Sequence, residues 1–254
     1  MEFPFYLRIF GHSLHPHTVC EALGYGSGAR LYFWLRRREA GPPLSTEDNL
    51  WLLIGCIFGA WVGSKLLAWA EMPSYYGPML TSPAVLLGGK TIVGGLLGGW
   101  IGIEAIKKWR GITRSTGDAF VLPLALGTAI GRIGCFLTGL SDHTYGVSTG
   151  LPWGVDFGDG IRRHPTQLYE SIFALGTGLV VLFIRRDRCY PPGAVFRFYF
   201  VVYLGFRFFI EFIKPREVLW LNLSAIQLAS IVGLIFSLVS LARLTKWSGA
   251  SSSH

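Results

Sequence analysis

The chain has 254 residues, of which 51% are hydrophobic and only 15% are charged, and it contains 33 glycines and 9 tryptophans. Soluble domains usually carry about 25% charged residues, whereas membrane spans tolerate Gly and collect Trp at the bilayer surfaces. The composition therefore excludes a disordered chain, a collagen and a disulfide scaffold, and it predicts an integral membrane protein. The net charge of +8 does not indicate nucleic-acid binding, because the basic residues lie between hydrophobic runs and do not form one face of a soluble domain.

Seven stretches approach the roughly 20 apolar residues that a membrane-spanning helix needs. We therefore predict an all-α fold in which residues 1–254 form a single seven-span membrane domain. The first stretch is the weakest, because Glu21 and Arg30 interrupt it. The predicted spans are Thr18–Trp34, Leu50–Ala70, Ala84–Ile106, Ala119–Leu140, Gln167–Ile184, Ala194–Ile213 and Leu219–Leu241.

The connections between these stretches alternate between many and few basic residues. The richer set holds Arg36, Arg37, Arg38, Lys107, Lys108, Arg110, Arg114, Arg185, Arg186, Arg188, Arg243 and Lys246. The poorer set holds Arg8, Arg162, Arg163, Lys214 and Arg216. Because basic loops stay in the cytoplasm, we predict an outer N-terminus, a cytoplasmic C-terminus and an outer, periplasmic loop over residues 141–166.

Two arginines lie deep within predicted spans, Arg132 in the fourth and Arg207 in the sixth. A charge at membrane depth costs at least a few kcal/mol and usually faces the protein interior or a wet cavity. One interpretation is structural, with each arginine paired to an intramembrane carboxylate such as Glu104, Glu170 or Glu211. The other is an anion site, because guanidinium groups bind phosphate through two parallel hydrogen bonds. Lys65 and Arg197 lie near span ends, where they can snorkel to the interface.

A glycine-rich segment, residues 88–99, interrupts the third stretch. Small residues allow close helix packing, which is the simpler interpretation of Gly94–Gly99, the stretch that begins with Gly94 and Gly95. Alternatively, a broken helix presents backbone N–H groups and Lys90 to an anion, which a membrane protein tolerates only beside a cavity.

Three motifs resemble the prolipoprotein diacylglyceryl transferase family. They are Gly131-Arg132-Ile133-Gly134-Cys135-Phe136-Leu137-Thr138-Gly139, then Arg163-His164-Pro165-Thr166-Gln167-Leu168-Tyr169-Glu170, and Tyr203 followed by Arg207-Phe208-Phe209-Ile210-Glu211-Phe212. Their order and spacing agree with that family from about Gly11 to Leu241.

The resemblance implies transfer of diacylglyceryl from phosphatidylglycerol, or a related anionic phospholipid, to the cysteine thiol of a lipobox-containing preprotein. The thiolate attacks the terminal glycerol carbon and glycerol phosphate departs, at the outer face of a bacterial inner membrane. Arg132 and Arg207 match the family's two essential arginines, Tyr203 its adjacent tyrosine and Glu211 a neighbouring acid. No metal or diffusible cofactor is implied, and the four cysteines have no metal-ligand spacing.

The chain departs from the family pattern on the side expected to bind the acceptor. Val93 stands where the family has the histidine of His-Gly-Gly-Leu, and Cys135 and Thr138 replace two asparagines. Cys135 is interpreted either as a packed core residue or as a reactive thiol assisted by Arg132 at i, i+3.

A thiol with an ordinary pKa near 8.5 needs a general base at neutral pH, and histidine is the usual one. His164 belongs to a family motif, where it is expected to anchor the loop. His17, one helical turn before Glu21, and His143 remain equal candidates. The predicted catalytic residues are Arg132, Arg207, His17, His143 and Glu170. The predicted substrate-binding residues are Tyr203, Lys90, Gly94, Gly95, Cys135, Thr138, Arg163, His164, Gln167, Tyr169 and Glu211.

Three functional hypotheses follow from the sequence. The first is the transferase itself. The second is a relative that transfers lipid to an acceptor other than a lipoprotein. The third, suggested by the missing histidine at Val93, is a non-catalytic protein that binds or moves phospholipid.

Overall fold

The computed structural model describes residues 3–9, 12–38, 44–79, 88–187 and 190–250 of the chain. Helices dominate this part of the molecule, and two short hairpins accompany them. The helices are α1 Pro16–Arg36, α2 Thr46–Glu71, α3 Pro73–Tyr76, α4 Ile92–Arg110, α5 Val121–Thr138, α6 Thr166–Asp187, α7 Ala194–Ile210 and α8 Ala225–Ala250. The hairpins pair β1 Leu7–Ile9 with β2 His12–Leu14, and β3 Val155–Asp156 with β4 Arg162–Arg163, both antiparallel.

Five predicted spans correspond to α1, α2, α5, α6 and α7 with only small shifts of their ends. The third prediction begins too early, because α4 starts at Ile92 and Gly89 adopts φ +66° just before it. Residues 84–87 and Arg188 lie outside the described residues. The seventh prediction also begins too early, since Leu221 and Asn222 have positive φ in a turn and α8 starts only at Ala225.

Four helical segments in the described part of the chain are long and apolar enough to cross a membrane. They are Thr46–Glu71, Asp118–Asp142, Thr166–Arg186 and Ala225–Leu244. Large apolar side chains on these helices point outwards, and Phe58, Ile172 and Val232 are each more than 60% exposed. Because such surfaces are unfavourable in water and suited to lipid, the structure is that of a mostly helical membrane protein.

Close backbone contact joins α2 to α4. A Cβ atom added at Gly98 would lie 2.2 Å from the Gly59 carbonyl oxygen, and one added at Gly94 would lie 2.3 Å from that of Gly63. Small residues let membrane helices approach this closely. The packing interpretation of the glycine-rich segment therefore holds for Gly94. At Gly95 an added Cβ atom would fit, because its nearest neighbour, the Ala60 carbonyl oxygen, would lie 3.8 Å away.

The helix ends meet at two opposite ends of the bundle. At one end, Arg110 donates to Asp48 at 2.9 Å, and Arg185 donates to the backbone oxygen of Asp118 at 2.7 Å. We call this the basic end. At the other end, the first turn of α1 meets the last turn of α5 and the loop that follows, which brings together the polar residues described next. We call this the polar end.

Candidate active site

Both arginines of the predicted spans, Arg132 and Arg207, are buried in an ion-pair network near the polar end. Glu170 Oε2 lies 2.6 Å from Arg132 Nε, and Glu170 Oε1 lies 2.5 Å from Arg207 Nη1 and 3.1 Å from Lys214 Nζ. Arg207 also pairs with Glu211. Every member is at most 8% exposed. We call these five residues, Arg132, Glu170, Arg207, Glu211 and Lys214, the arginine cluster.

Helical periodicity explains how this cluster assembles. Tyr203, Arg207 and Glu211 follow one another at intervals of four residues, so they share one face at the end of α7. Glu170 stands in the second turn of α6, and the hydroxyl of Ser171 donates to the Ala129 carbonyl of α5 at 3.0 Å. This contact holds α6 against α5, which brings Glu170 within reach of Arg132.

The arginine cluster has more positive than negative groups. Three cations face two carboxylates, which leaves one excess positive charge. The pairing expected by the structural interpretation is confirmed for Glu170 and Glu211, although the network is not neutral, while Glu104 pairs with Lys107 at 2.9 Å instead. The excess charge still favours an anion, since guanidinium donors in a low-dielectric site attract negative charge strongly.

Two polar side chains beside the cluster lack hydrogen-bond partners among the described residues. Both amide atoms of Gln167 and the hydroxyl of Tyr203 are fully buried and unpaired. Gln167 precedes Glu170 by three residues and so shares its helix face, as Tyr203 shares that of Arg207. Buried polar groups normally have partners, so these groups are suited to the polar part of a ligand.

A second group of polar atoms lies at the mouth of the bundle. His17 Nδ1 is 3.1 Å from Asp142 Oδ1 and 3.8 Å from Cys135 Sγ. These three residues come from the first turn of α1, the last turn of α5 and the 3-10 turn Gly139–Asp142. His17 remains 32% exposed, whereas Cys135 is buried. We call His17, Cys135 and Asp142 the histidine–cysteine cluster.

A glycine permits this second cluster. A Cβ atom at Gly134 would lie 2.6 Å from Cys20 Cβ and 3.3 Å from His17 Cα. Only glycine at this position lets the start of α1 pack so closely on the end of α5. Gly134 therefore places His17 opposite Cys135.

Arg132 connects the two clusters. One of its nitrogens, Nη1, lies 3.9 Å from Cys135 Sγ, while Nε faces Glu170. A phosphate held near the arginine cluster and a thiol held near His17 would therefore lie on opposite sides of one guanidinium group.

The two candidate bases differ in their surroundings. His17 has carboxylates on both ring nitrogens, since Glu21 Oε2 lies 3.7 Å from Nε2. His143 is exposed and adopts φ 53°, while the neighbouring carboxylate of Asp142 faces His17. The structure thus brings His17 into the cluster and leaves His143 outside it.

The predicted anion-binding lysine, Lys90, lies at the surface beside Glu21, a neighbour of the histidine–cysteine cluster. Its side chain is 66% exposed and pairs with Glu21 at 3.2 Å. Lys65, which the sequence suggested would snorkel, is instead 6% exposed and donates to the carbonyls of Gly88 and Gly89 at 2.7 and 2.9 Å. Lys65 therefore fixes the segment that precedes α4.

Three predicted substrate-binding residues organise the loop at 141–166 and its junction with α6. Tyr169 Oη accepts from Trp153 Nε1 at 2.8 Å and lies 3.3 Å from His164 Nδ1. Arg163 donates to Asp159 at 2.6 Å and lies over the Tyr145 ring at 5.1 Å. The hydrogen bond from Arg163 lowers the pKa of Asp159 below its usual range. These contacts support the loop-anchoring interpretation of His164 and extend it to Arg163 and Tyr169.

Thr138 and Val93 are both buried away from solvent. The Thr138 hydroxyl donates to the Gly134 carbonyl at 2.8 Å, a bond within its own helix. Val93 is 1% exposed and belongs to the hydrophobic core that includes Tyr203 and Leu204. The position of the family's histidine is thus occupied by a packed apolar side chain.

Sequence reasoning missed two members of these clusters. In the sequence analysis Lys214 is one of the loop charges that indicate orientation, and Asp142 has no assigned role. The signal for Lys214 was its distance of three residues from Glu211, which places it one turn further along the same face. No sequence pattern indicates that Asp142 would face His17, because 125 positions separate them in the numbering of the chain.

Comparison with known proteins identifies the family. A sequence model of the prolipoprotein diacylglyceryl transferases matches residues 4–243. A phosphatidylglycerol–prolipoprotein diacylglyceryl transferase of Geobacter sulfurreducens is 30% identical over 227 residues, which cover 85% of each chain. One of Solidesulfovibrio magneticus is 32% identical over 220 residues, 79% of this chain and 78% of the relative.

A relative of the same name from Clostridioides difficile is 36% identical over a shorter stretch of 160 residues, 63% of this chain and 62% of the relative. With the family pattern matched from residue 4 to residue 243, within the last helix, the chain belongs to the prolipoprotein diacylglyceryl transferase family.

Proposed function

We propose that this protein transfers the diacylglyceryl group of phosphatidylglycerol to the cysteine thiol of a prolipoprotein and releases glycerol phosphate. The observation that carries the proposal is the position of Arg132, which contacts Glu170 of the arginine cluster and Cys135 of the histidine–cysteine cluster. The relatives named above carry this activity in their names. Donor phosphate and acceptor thiol would then meet across one side chain.

The arginine cluster is proposed to bind the phosphate of the donor lipid. Its excess positive charge attracts the phosphodiester, and it stabilises the negative charge that grows on the leaving glycerol phosphate. Glu170 and Glu211 hold the guanidinium groups in place before the lipid arrives, so less side-chain entropy is lost on binding. Tyr203 and Gln167 are proposed to donate to the phosphate or the glycerol hydroxyls, which would satisfy their unpaired polar atoms.

The histidine–cysteine cluster is proposed to receive the acceptor thiol. The partly exposed edge of His17 faces the polar end, where a preprotein would approach from outside. Asp142 orients the imidazole and stabilises its protonated form, as a carboxylate does for a catalytic histidine. We therefore propose that His17, and not His143, assists loss of the thiol proton.

We further propose a seven-span arrangement in the bacterial inner membrane with the polar end outward. The seven helices α1, α2 and α4 to α8 alternate in direction between the basic and polar ends. Contacts such as Arg110 with Asp48 and Arg185 with Asp118 join the connections that are rich in Lys and Arg. Because such connections stay in the cytoplasm, the clusters and the loop at 141–166 would face the outer side.

Labelled phosphatidylglycerol and a lipobox peptide, supplied in vesicles with the purified protein, test the proposal. We expect release of glycerol phosphate and a thioether-linked diacylglyceryl peptide, both measured by mass spectrometry. Arg207→Lys should abolish both products, whereas Arg185→Lys at the basic end should not. Release of glycerol phosphate with a lipidated acceptor other than the peptide would favour the second hypothesis. Phospholipid binding that needs Arg207 but yields no product would favour the third.

A further inference from the structure

We propose that His17, Cys135 and Asp142 form a zinc site whose fourth position takes the acceptor thiolate. The evidence for zinc binding is the geometry of these three residues, whereas the role given to the metal in the reaction rests on the function proposed above. No metal is expected from the sequence, because the family resemblance implies none and the four cysteines have no metal-ligand spacing. The three ligand atoms nevertheless lie within 4.8 Å of one another in the folded protein.

The distances among these atoms suit one small cation. Zinc bonds of typical length in a tetrahedron separate nitrogen from oxygen ligands by about 3.4 Å and nitrogen from sulfur ligands by about 3.6 Å. Here His17 Nδ1 lies 3.1 Å from Asp142 Oδ1 and 3.8 Å from Cys135 Sγ. These two separations are therefore within a few tenths of an ångström of the zinc geometry, and the third, between the Asp142 carboxylate and Cys135 Sγ, is at most 4.8 Å.

The ligand types select the metal. Mg²⁺ and Ca²⁺ prefer sites made of oxygen ligands only, whereas a thiolate and an imidazole with one carboxylate favour Zn²⁺. Structural zinc sites have four protein ligands, but catalytic sites have three and leave one position open. In the described part of the chain, three ligands converge at this point, which is the number of a catalytic site.

The groups around the ligands are also those of a metal site. Glu21 Oε2 faces the second ring nitrogen of His17 at 3.7 Å, where a metal-bound imidazole usually has a carboxylate or carbonyl partner. Thr144 Oγ1 donates to the free oxygen of Asp142 at 2.6 Å. Arg132 Nη1 lies 3.9 Å from Cys135 Sγ, within reach of a weak hydrogen bond to the sulfur. Each ligand thus has an outer partner.

Val93 stands where the family has a histidine, and zinc would promote formation of the acceptor thiolate in place of a general base. A coordinated thiol loses its proton to water, because the metal stabilises the thiolate. The bound thiolate then attacks the terminal glycerol carbon of the donor. The carbon–sulfur bond forms as the carbon–oxygen bond to phosphate breaks, and the electron pair leaves with glycerol phosphate beside the arginine cluster. With zinc bound, His17 would assist loss of the thiol proton as a ligand of the metal, which replaces the general-base role proposed above for the cluster without metal.

Metal analysis of the intact protein tests the site. After purification in detergent and dialysis against a weak chelator, we expect about one zinc per chain. Cys135→Ser, His17→Ala and Asp142→Asn should each lose it, whereas Cys56→Ser, which changes a free cysteine on α2, should keep it. Because His17 is partly exposed, His17→Ala provides the test if the Cys135 variant does not purify. Glu21→Gln should weaken zinc affinity by about 10- to 100-fold.

Cobalt substitution tests the open position without requiring turnover. The Co²⁺ protein should show a sulfur-to-metal absorption band that is absent in Cys135→Ser, and a lipobox peptide should strengthen that band while its Cys-to-Ser analogue does not. Zinc bound with these properties but no transfer would support the site and overturn the proposed function. Transfer by metal-free protein, undiminished in Cys135→Ser, would overturn the site and leave the function standing. Zinc below about one tenth per chain, or equal in wild type and Cys135→Ser, also overturns the site.

Discussion

The arginine cluster contacts the histidine–cysteine cluster through its member Arg132, but the two clusters are built in different ways. The first is buried, and its ion pairs hold three cations around two carboxylates with one excess positive charge. The second is reached from outside through the partly exposed His17, and its three donor atoms converge on one point. The buried ion pairs fix the positions of the arginines before substrate binds, whereas the converging donor atoms of the histidine–cysteine cluster can accept a further ligand.

The largest expected effect comes from removing the shared carboxylate of the arginine cluster. Glu170→Gln leaves Arg132, Arg207 and Lys214 without their common partner, and breaking a buried pair costs about 3–5 kcal/mol. We expect a marked drop in the unfolding temperature in detergent. Glu104→Gln, at an exposed pair near the basic end, is the control and should change it little. Equal changes of unfolding temperature in the two variants would mean that the ion pairs of the arginine cluster do not stabilise the fold.

The next effect concerns the chemistry of the same cluster. Arg132→Lys keeps the charge but not the planar pair of donors, so we expect about a 10²- to 10³-fold loss of transfer rate, as for loss of one transition-state hydrogen-bond donor. Glycerol phosphate release measures it. Circular dichroism should show an unchanged helix content, which separates this loss from misfolding. A rate within threefold of wild type would remove Arg132 from the phosphate site.

At the histidine–cysteine cluster, we expect substitution of His17 to slow transfer more than substitution of His143. His17→Ala is expected to slow transfer by about 10²-fold, because the variant lacks the side chain that promotes loss of the thiol proton. His143→Ala should have much less effect, since the structure places its side chain outside the cluster. The initial rate of peptide lipidation compares the two variants. The reverse order would place the acceptor on the other side of Asp142.

The smallest effect concerns the loop that borders the open cluster. Because the pKa of Asp159 is lowered by Arg163, the pair stabilises the loop at every pH above the ordinary Asp value of 3.8. That stabilisation is lost as the pH falls through the lowered pKa. We expect limited proteolysis of residues 141–166 to remain slow at pH 5 and to accelerate only in stronger acid. Asp159→Asn should remove this pH dependence, and an unchanged acid profile in that variant would contradict the assignment.

Sequence reasoning was most successful where a residue type is rare in its surroundings. Arg132 and Arg207 stood out because a charge within an apolar run is costly, and Glu170 and Glu211 could be named as partners. The approximate position of each long helix also follows from apolar length. The predicted starts of α4 and α8 were wrong, because apolar residues continue through the turns at Gly89 and at Leu221–Asn222.

The sequence by itself determined the membrane class, the family and the buried arginines, since these depend on composition, local patterns and the cost of charge in lipid. Only the tertiary structure decided which histidine faces Cys135, because the contact needs α1 packed on α5 at Gly134. It also decided that Lys214 belongs with the arginines and that Lys65 is buried. Such pairings join residues far apart along the chain, and their geometry follows from helix packing, which no local pattern of residues records.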